Sequence, residues 1–214
     1  MKTLYLLPNI LHEESTWRFD PPELDALIAE SEKGGRQFLK KFFGKIALPI
    51  YLLNEHTQDL KPLLLIPEER VGLISDAGLP CLADPGSQLV SLCRKKGTQI
   101  HAYPGPSSIF LSLMLSGLPA QQFTFQGYLE RDPALLAKQL SALPSRITHI
   151  FIETPYRNQK MLEAILKARK PKDLLCVAWD LMGPNQQVIS QPIQDWKTLP
   201  DLQKKPAIFL IYAY

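Results

Sequence analysis

Three short runs in this chain are apolar at nearly every position: VGLIS (71–75), LLCVAWD (174–180) and AIFLIYA (207–213). A strand with one face in water alternates apolar and polar residues. A strand that is apolar throughout is covered on both faces, which is the habit of sheets sandwiched between helices. The segments between the strands supply such helices. Leu89, Leu92 and Cys93 form one apolar stripe, Leu136, Leu140 and Leu143 a second, and Met161, Leu162, Ile165 and Leu166 a third. TLYLLP (3–8), QIHAY (99–103), FTFQGYL (123–129) and ITHIFIE (147–153) read as further strands, and ALPIYLLNEH (47–56) contains another. The chain is therefore expected to be α/β.

Punctuation sharpens the reading. Asp84 and Pro85 suit the start of one helix and Gly97 its end. A helix from about Ser107 is closed by Gly117, Asp132 and Pro133 cap another, and Thr154 with Pro155 caps the next. PELDALIAES (22–31) places Leu24, Leu27 and Ile28 on one helical face, and GRQFLKKFFG (35–44) reads as a helix ending at Gly44. The polar, proline-bearing SGLPAQQ (116–122) marks a boundary, giving domains 1–117 and 118–214.

Composition excludes some classes. The three cysteines stand far apart with no CxxC or Cys/His pattern, so neither a zinc site nor a disulfide framework is expected. The longest apolar stretch, IFLSLMLSGL (109–118), falls short of the roughly 20 residues of a membrane span, and MKTLYLLPNILHEE lacks a secretory pattern. A soluble cytoplasmic protein without a membrane partner is the expectation. A net charge of +3 permits a polyanionic partner without announcing one. The basic runs at 94–96, 40–45 and 167–173 are helix-end charges or, if they align, a track for RNA.

The feature that periodicity does not explain is SDAGLPCLADPG (75–86), twelve residues between a strand and a helix that usually need about two to six. PGPSS (104–108) follows the next strand. Both loops lie at strand carboxyl ends, where open α/β sheets bind ligands. Gly78, Gly86 and Gly105 permit close backbone approach, and Pro80, Pro85, Pro104 and Pro106 stiffen the loops. Neither GxGxxG nor GxxxxGK[ST] is present, which argues against phosphate-rich cofactors.

The stretch from Val71 to Ile109 resembles the core of the tetrapyrrole methylase superfamily, most closely the bacterial small-subunit ribosomal RNA (cytidine-2′-O)-methyltransferase group. That group carries S-D-A-G-x-P-x-x-x-D-P-G and, one strand later, P-G-P. SGLPAQQFTFQGYL (116–129), FIETPYR (151–157) and NEHT (54–57) are similar to further segments of the group. The resemblance implies two α/β domains with a ligand cleft between them (the class III methyltransferase fold), a homodimer, and S-adenosylmethionine as methyl donor. It implies donor contacts from Pro8, Asp76, Ala77, Gly78, Pro80, Cys81, Leu82, Gly105, Ser107, Ser108, Thr154 and Ala178. It offers Glu153 and Glu30 as carboxylate bases and Arg157 as an acceptor contact; His12, in the N-terminal loop, is an acceptor contact and a further candidate base because an imidazole titrates near neutral pH. Three departures stand beside it: PNILHEES (8–15) replaces P-x-P-I-G-N-L-x-D, AESEK (29–33) replaces A-E-D-T-R, and the sequence ends after AIFLIYAY, as in a short form without a C-terminal domain. Three readings follow: methylation of ribosomal RNA at a ribose 2′-hydroxyl, methylation of a tetrapyrrole or other small molecule, and donor binding without catalysis.

Overall fold

The computed structural model describes residues 1–44 and 47–214; Lys45, in the second basic run, lies outside them. The described residues divide into two compact units, Met1–Ser107 and Ser108–Tyr214.

In the first unit five strands, β1 (Thr3–Leu6), β2 (Ala26–Ala29), β3 (Ile50–Leu52), β4 (Arg70–Leu73) and β5 (Gln99–Ala102), form a parallel sheet in the order β3-β2-β4-β1-β5. Helices α1 (Glu32–Phe43), α2 (Lys61–Leu64) and α3 (Ser87–Lys95) cover it. One core joins Leu4, Ala26, Ile28 and Val71 to Leu63, Leu89 and Cys93; the other joins Leu7, Leu27, Ala29 and Ile74 to Phe38 and Leu39. Residues 26–29 thus send alternate side chains into two cores, and all four are buried.

This corrects the helix expected over PELDALIAES. Leu24, Leu27 and Ile28 have helical spacing, but a central strand buried on both faces is apolar throughout, and periodicity cannot separate the two. The start of α3 also differs. Gly86, at φ 134°, precedes its first residue, so Asp84 is not the cap, and its carboxyl hydrogen-bonds Ser75 instead. Gly97, at φ 76°, ends the helix as expected.

In the second unit, β6 (Phe123–Tyr128), β7 (Thr148–Ile152), β8 (Leu174–Trp179), β9 (Gln187–Pro192) and β10 (Ala207–Tyr212) form a mixed sheet in the order β6-β7-β10-β8-β9. Only β6 and β7 pair in parallel; β10 runs against both β7 and β8. Helices α4 (Ser108–Ser116), α5 (Pro133–Ser141) and α6 (Asn158–Ala168) complete it. Helix α4 packs on β8, β9 and β10, which is why the division falls at Ser107/Ser108 rather than after Gly117. Asp132 caps α5 as expected, accepting from Ala134 and Leu135 N–H at 3.0 and 2.9 Å. Thr154 does not cap α6. Residues 154–157 form a turn closed by Arg157 N–H on the Thr154 carbonyl (2.9 Å), and the helix begins at Asn158.

The run at 167–173 is not a solvated face throughout. Arg169 and Asp173 form a buried ion pair at 2.8 Å, completed by Arg169 donating to the Leu140 carbonyl and Asp173 accepting from Lys170 and Tyr214 N–H. No helix among the described residues is long and apolar enough to cross a membrane.

Candidate active site

Because the first sheet is wholly parallel, the ends of β1, β2, β4 and β5 deliver their loops to one edge. Asn9, just beyond β1, reaches the loop after β4. Its N–H donates to the Gly78 carbonyl at 2.7 Å, and its carboxamide donates to the Ser75 and Asp76 carbonyls, each at 3.0 Å. Glu30, just beyond β2, takes the Asp76 N–H on Oε1 at 3.0 Å. A Cβ on Gly78 would approach Leu11 Cδ2 at 3.2 Å and the Pro106 carbonyl at 3.5 Å. A Cβ on Gly105 would fall 2.1 Å from Pro8 Cβ. Four chain segments are thus tied together at the sheet edge.

The electrostatics of this edge are acidic. Glu30, Asp76 and Asp84 come from two loops and influence one another. Burial, opposed by the Asp76 N–H and reinforced by the Asp76 and Glu55 charges, pushes the Glu30 carboxyl above its ordinary range. Burial, with repulsion from Glu30 and Asp76 and despite a hydrogen bond with Ser75, pushes Asp84 up to about 6. Asp76 and Ala77 are exposed at the tip, and Leu82 is 42% exposed, whereas Gly78 and Pro80 are buried. Cys81 adopts φ 69°, and burial followed by the Asp84 charge pushes its thiol up, away from thiolate chemistry. A cavity of about 450 Å³ opens beside Asp76, walled by Asn9, Ser31, Gly34, Gln37 and Lys41.

The other predicted residues fall in different places. Ser107 is buried and Ser108 opens α4. His12 accepts from Glu14 N–H through Nδ1 at 3.2 Å, within its own loop. In the second unit Glu153, Thr154 and Arg157 come together beyond β7. The Glu153 side chain is only 3% exposed; one oxygen takes the Thr154 N–H at 2.7 Å and the other faces Arg157 Nη2 at 3.3 Å. Ala178 is fully buried inside β8, paired with Val188 and Ile208. The described residues contain no cluster of three metal-ligating side chains.

Sequence reasoning passed over Asn9, and it gave Asp84 no role beyond a helix cap and a place in the loop motif. An asparagine directly after a strand and a proline was the available signal, since Asx side chains bind nearby backbone in turns. It also passed over Gly34, where a Cβ would sit 2.4 Å from Asp76 Oδ1.

A family model described as Tetrapyrrole (Corrin/Porphyrin) Methylases matches residues 52–196. The chain belongs to this family. Among curated relatives of this tetrapyrrole methylase, ribosomal RNA small subunit methyltransferase I of Vibrio cholerae is 28% identical over 200 residues, covering 89% of this chain and 69% of that protein. The protein of the same name from Halalkalibacterium halodurans is 33% identical over 173 residues, covering 77% of this chain and 59% of its own length. The chain spans between about half and about two thirds of the curated relatives it matches. Among solved structures, uroporphyrin-III-C-methyltransferase from Thermus thermophilus superposes with a TM-score of 0.60 at 19% identity, covering 99% of this chain and 94% of that one. The methyltransferase CobJ gives the same score at 15% identity, covering 89% and 83%. At such identities these two establish the shared fold, two α/β domains.

Proposed function

We propose that this tetrapyrrole methylase is an S-adenosylmethionine-dependent methyltransferase acting on ribosomal RNA at a ribose 2′-hydroxyl. The observation that carries the reading is the loop 75–86, tied at a parallel sheet's carboxyl edge with its acidic tip outward, in a chain whose curated relatives bear a ribosomal RNA methyltransferase name.

The residues present fit the donor. S-adenosylmethionine is a sulfonium cation, and Glu30, Asp76 and Asp84 converge where a cation relieves their mutual repulsion. The exposed Asp76 and Ala77 offer side-chain and backbone groups to its polar ends. When bound, the donor supplies an activated methyl group. The chain's own part is orientation and proton handling. Glu30, raised by burial and neighbouring charge, takes the hydroxyl proton, a role worth about 10²–10⁴-fold in rate. Glu153, with both oxygens engaged, holds Arg157, which grips an acceptor phosphate.

The test is mass mapping of ribosomal RNA from cells with and without the gene, joined to calorimetry of S-adenosylmethionine on the purified protein. A single missing ribose methyl group in the deletion strain is expected. Donor binding with an unchanged map rejects the RNA acceptor and leaves a small molecule or a non-catalytic binder; no donor binding rejects the reading entirely.

A further inference from the structure

We propose that Asn9 is a positioning residue of the donor site. Its carboxamide and its backbone N–H clamp the turn Ser75–Gly78 in the conformation that presents Asp76 and Ala77. The inference rests on the reading of this loop as the donor's wall, and goes beyond it by assigning the device that sets the wall's shape.

The clamp is specific to asparagine. Both hydrogens of one planar amide are used on two consecutive carbonyls, those of Ser75 and Asp76. The amide oxygen accepts the Ile10 N–H at 2.9 Å, which fixes the orientation of the group, because the reversed amide would aim oxygen at two carbonyl oxygens. The Asn9 backbone N–H then holds Gly78, so a single residue grips positions 75, 76 and 78 across some 66 residues of sequence. At 7% exposure, water scarcely competes for these bonds.

The loop needs such a clamp. Past Ile74, whose N–H still donates to the Ile28 carbonyl at 3.0 Å, the β4 ladder has ended, and Gly78, Cys81 and Ala83 all adopt positive φ (75°, 69° and 67°). Two of those are non-glycine residues in the left-handed region, a conformation that persists only where surroundings over-determine it. The Asp76 peptide shows the result. Its carbonyl is held by Asn9 and its N–H by Glu30, so the backbone direction is set from both sides while the side chain stays exposed. Asn9 acts through Asp76 and Ala77 and has no need to touch the donor.

The experiment compares wild type with Asn9→Asp, which keeps the shape but faces two carbonyls with oxygen, and with Asn9→Ala, which removes the side-chain bonds and keeps the backbone bond to Gly78. Amide hydrogen exchange followed by mass spectrometry reads the clamp, and calorimetry with S-adenosylmethionine reads its purpose. Both variants are expected to raise exchange at the Asp76 amide, which Glu30 holds, by about 10-fold or more, with β4 still protected, and to raise the donor Kd by about 10-fold or more at a temperature where near-ultraviolet dichroism shows them folded. Unchanged exchange in both variants overturns the clamp. A loosened loop with wild-type donor affinity overturns the positioning role alone. If wild type binds no donor, the donor reading falls and the positioning role with it, while the exchange contrast still reports whether the clamp exists.

Discussion

Asp84→Asn should make this protein more stable at neutral pH and leave it unchanged in acid. Asp84 is half-buried in the loop 75–86, near the Glu30 and Asp76 charges, and its carboxyl is pushed from an ordinary 3.8 up to about 6, chiefly by burial. The folded chain therefore keeps a proton on Asp84 to higher pH than the unfolded chain does. Between about pH 4 and pH 6 the native state binds more protons, so stability falls as pH rises through that window, and the penalty is fully present above it. A rise from 3.8 to about 6, at about 1.4 kcal/mol per tenfold change in proton affinity, sets a ceiling of about 3 kcal/mol. Partial solvent access reduces this to about 1–2 kcal/mol. Asparagine is isosteric, is neutral at every pH and still offers an oxygen to the Ser75 hydroxyl. Thermal unfolding followed by circular dichroism should give equal Tm values for the two proteins at pH 4. At pH 8 the variant should melt about 2–8 °C higher. A difference constant across pH, or a variant less stable at pH 8, would refute the argument. The same variant should bind the cationic donor more weakly, because the destabilising charge is then retained for what it binds.

Three further substitutions probe other parts of the structure. Gly105→Ala places a methyl group 2.1 Å from Pro8 Cβ, against a rigid ring, and should cost about 1–3 kcal/mol in thermal unfolding; an unchanged Tm would show that the two loops yield freely. Asp173→Ala leaves the Arg169 guanidinium buried without its partner and should cost about 3–5 kcal/mol in urea unfolding, far beyond the effect of exposed Glu32→Ala, which breaks the surface pair with Arg36. Glu30→Gln should lower methyl-transfer turnover about 10²-fold with little change in KM, whereas Glu153→Gln should chiefly raise KM for the acceptor by loosening Arg157; the reverse pattern would exchange their roles.

Much of the fold was legible because its signals are local. Asp132, Gly97 and Gly117 announced helix ends that the structure contains, and the buried runs at 71–75 and 207–213 announced covered strands. The misreadings share a cause. Residues 22–31 carry helical spacing by accident of being buried on two sides, and β9 (QVISQP) is a partly exposed strand at the sheet edge, too polar to register. The candidate site was legible as a loop and not as a mechanism of holding that loop. Asn9 works on carbonyls some 66 residues away, and backbone acceptors leave no mark in a sequence. Glu153 illustrates the converse: its position beyond a strand is readable, but its engagement by Thr154 N–H and Arg157 depends on a turn whose first residue reads in sequence as a helix cap.

Gly78 and Gly105 have a different physical reason from the one the sequence suggests. Bare backbone invites the idea of space cleared for a ligand. Yet the space beside Gly105 is filled by Pro8 and Trp17, and that beside Gly78 by Leu11 and the Pro106 carbonyl. These positions lack side chains so that the loops can close upon one another. A ligand must then meet what the closure leaves outward: Asp76, Ala77, Leu82 and Ala83, the exposed residues of the first loop. Binding energy at such a tip depends on how little the tip must be reordered when the ligand arrives, since every ordered side chain or turn subtracts from affinity. A tip pinned at Ser75, Asp76 and Gly78 before any ligand is present has already met that cost during folding. Substitutions that unpin it should therefore weaken binding without removing a single ligand contact. Substitutions at Ala77 or Leu82 should weaken binding while leaving the loop as protected from exchange as before, and a matching loss of protection in those variants would contradict this division of labour.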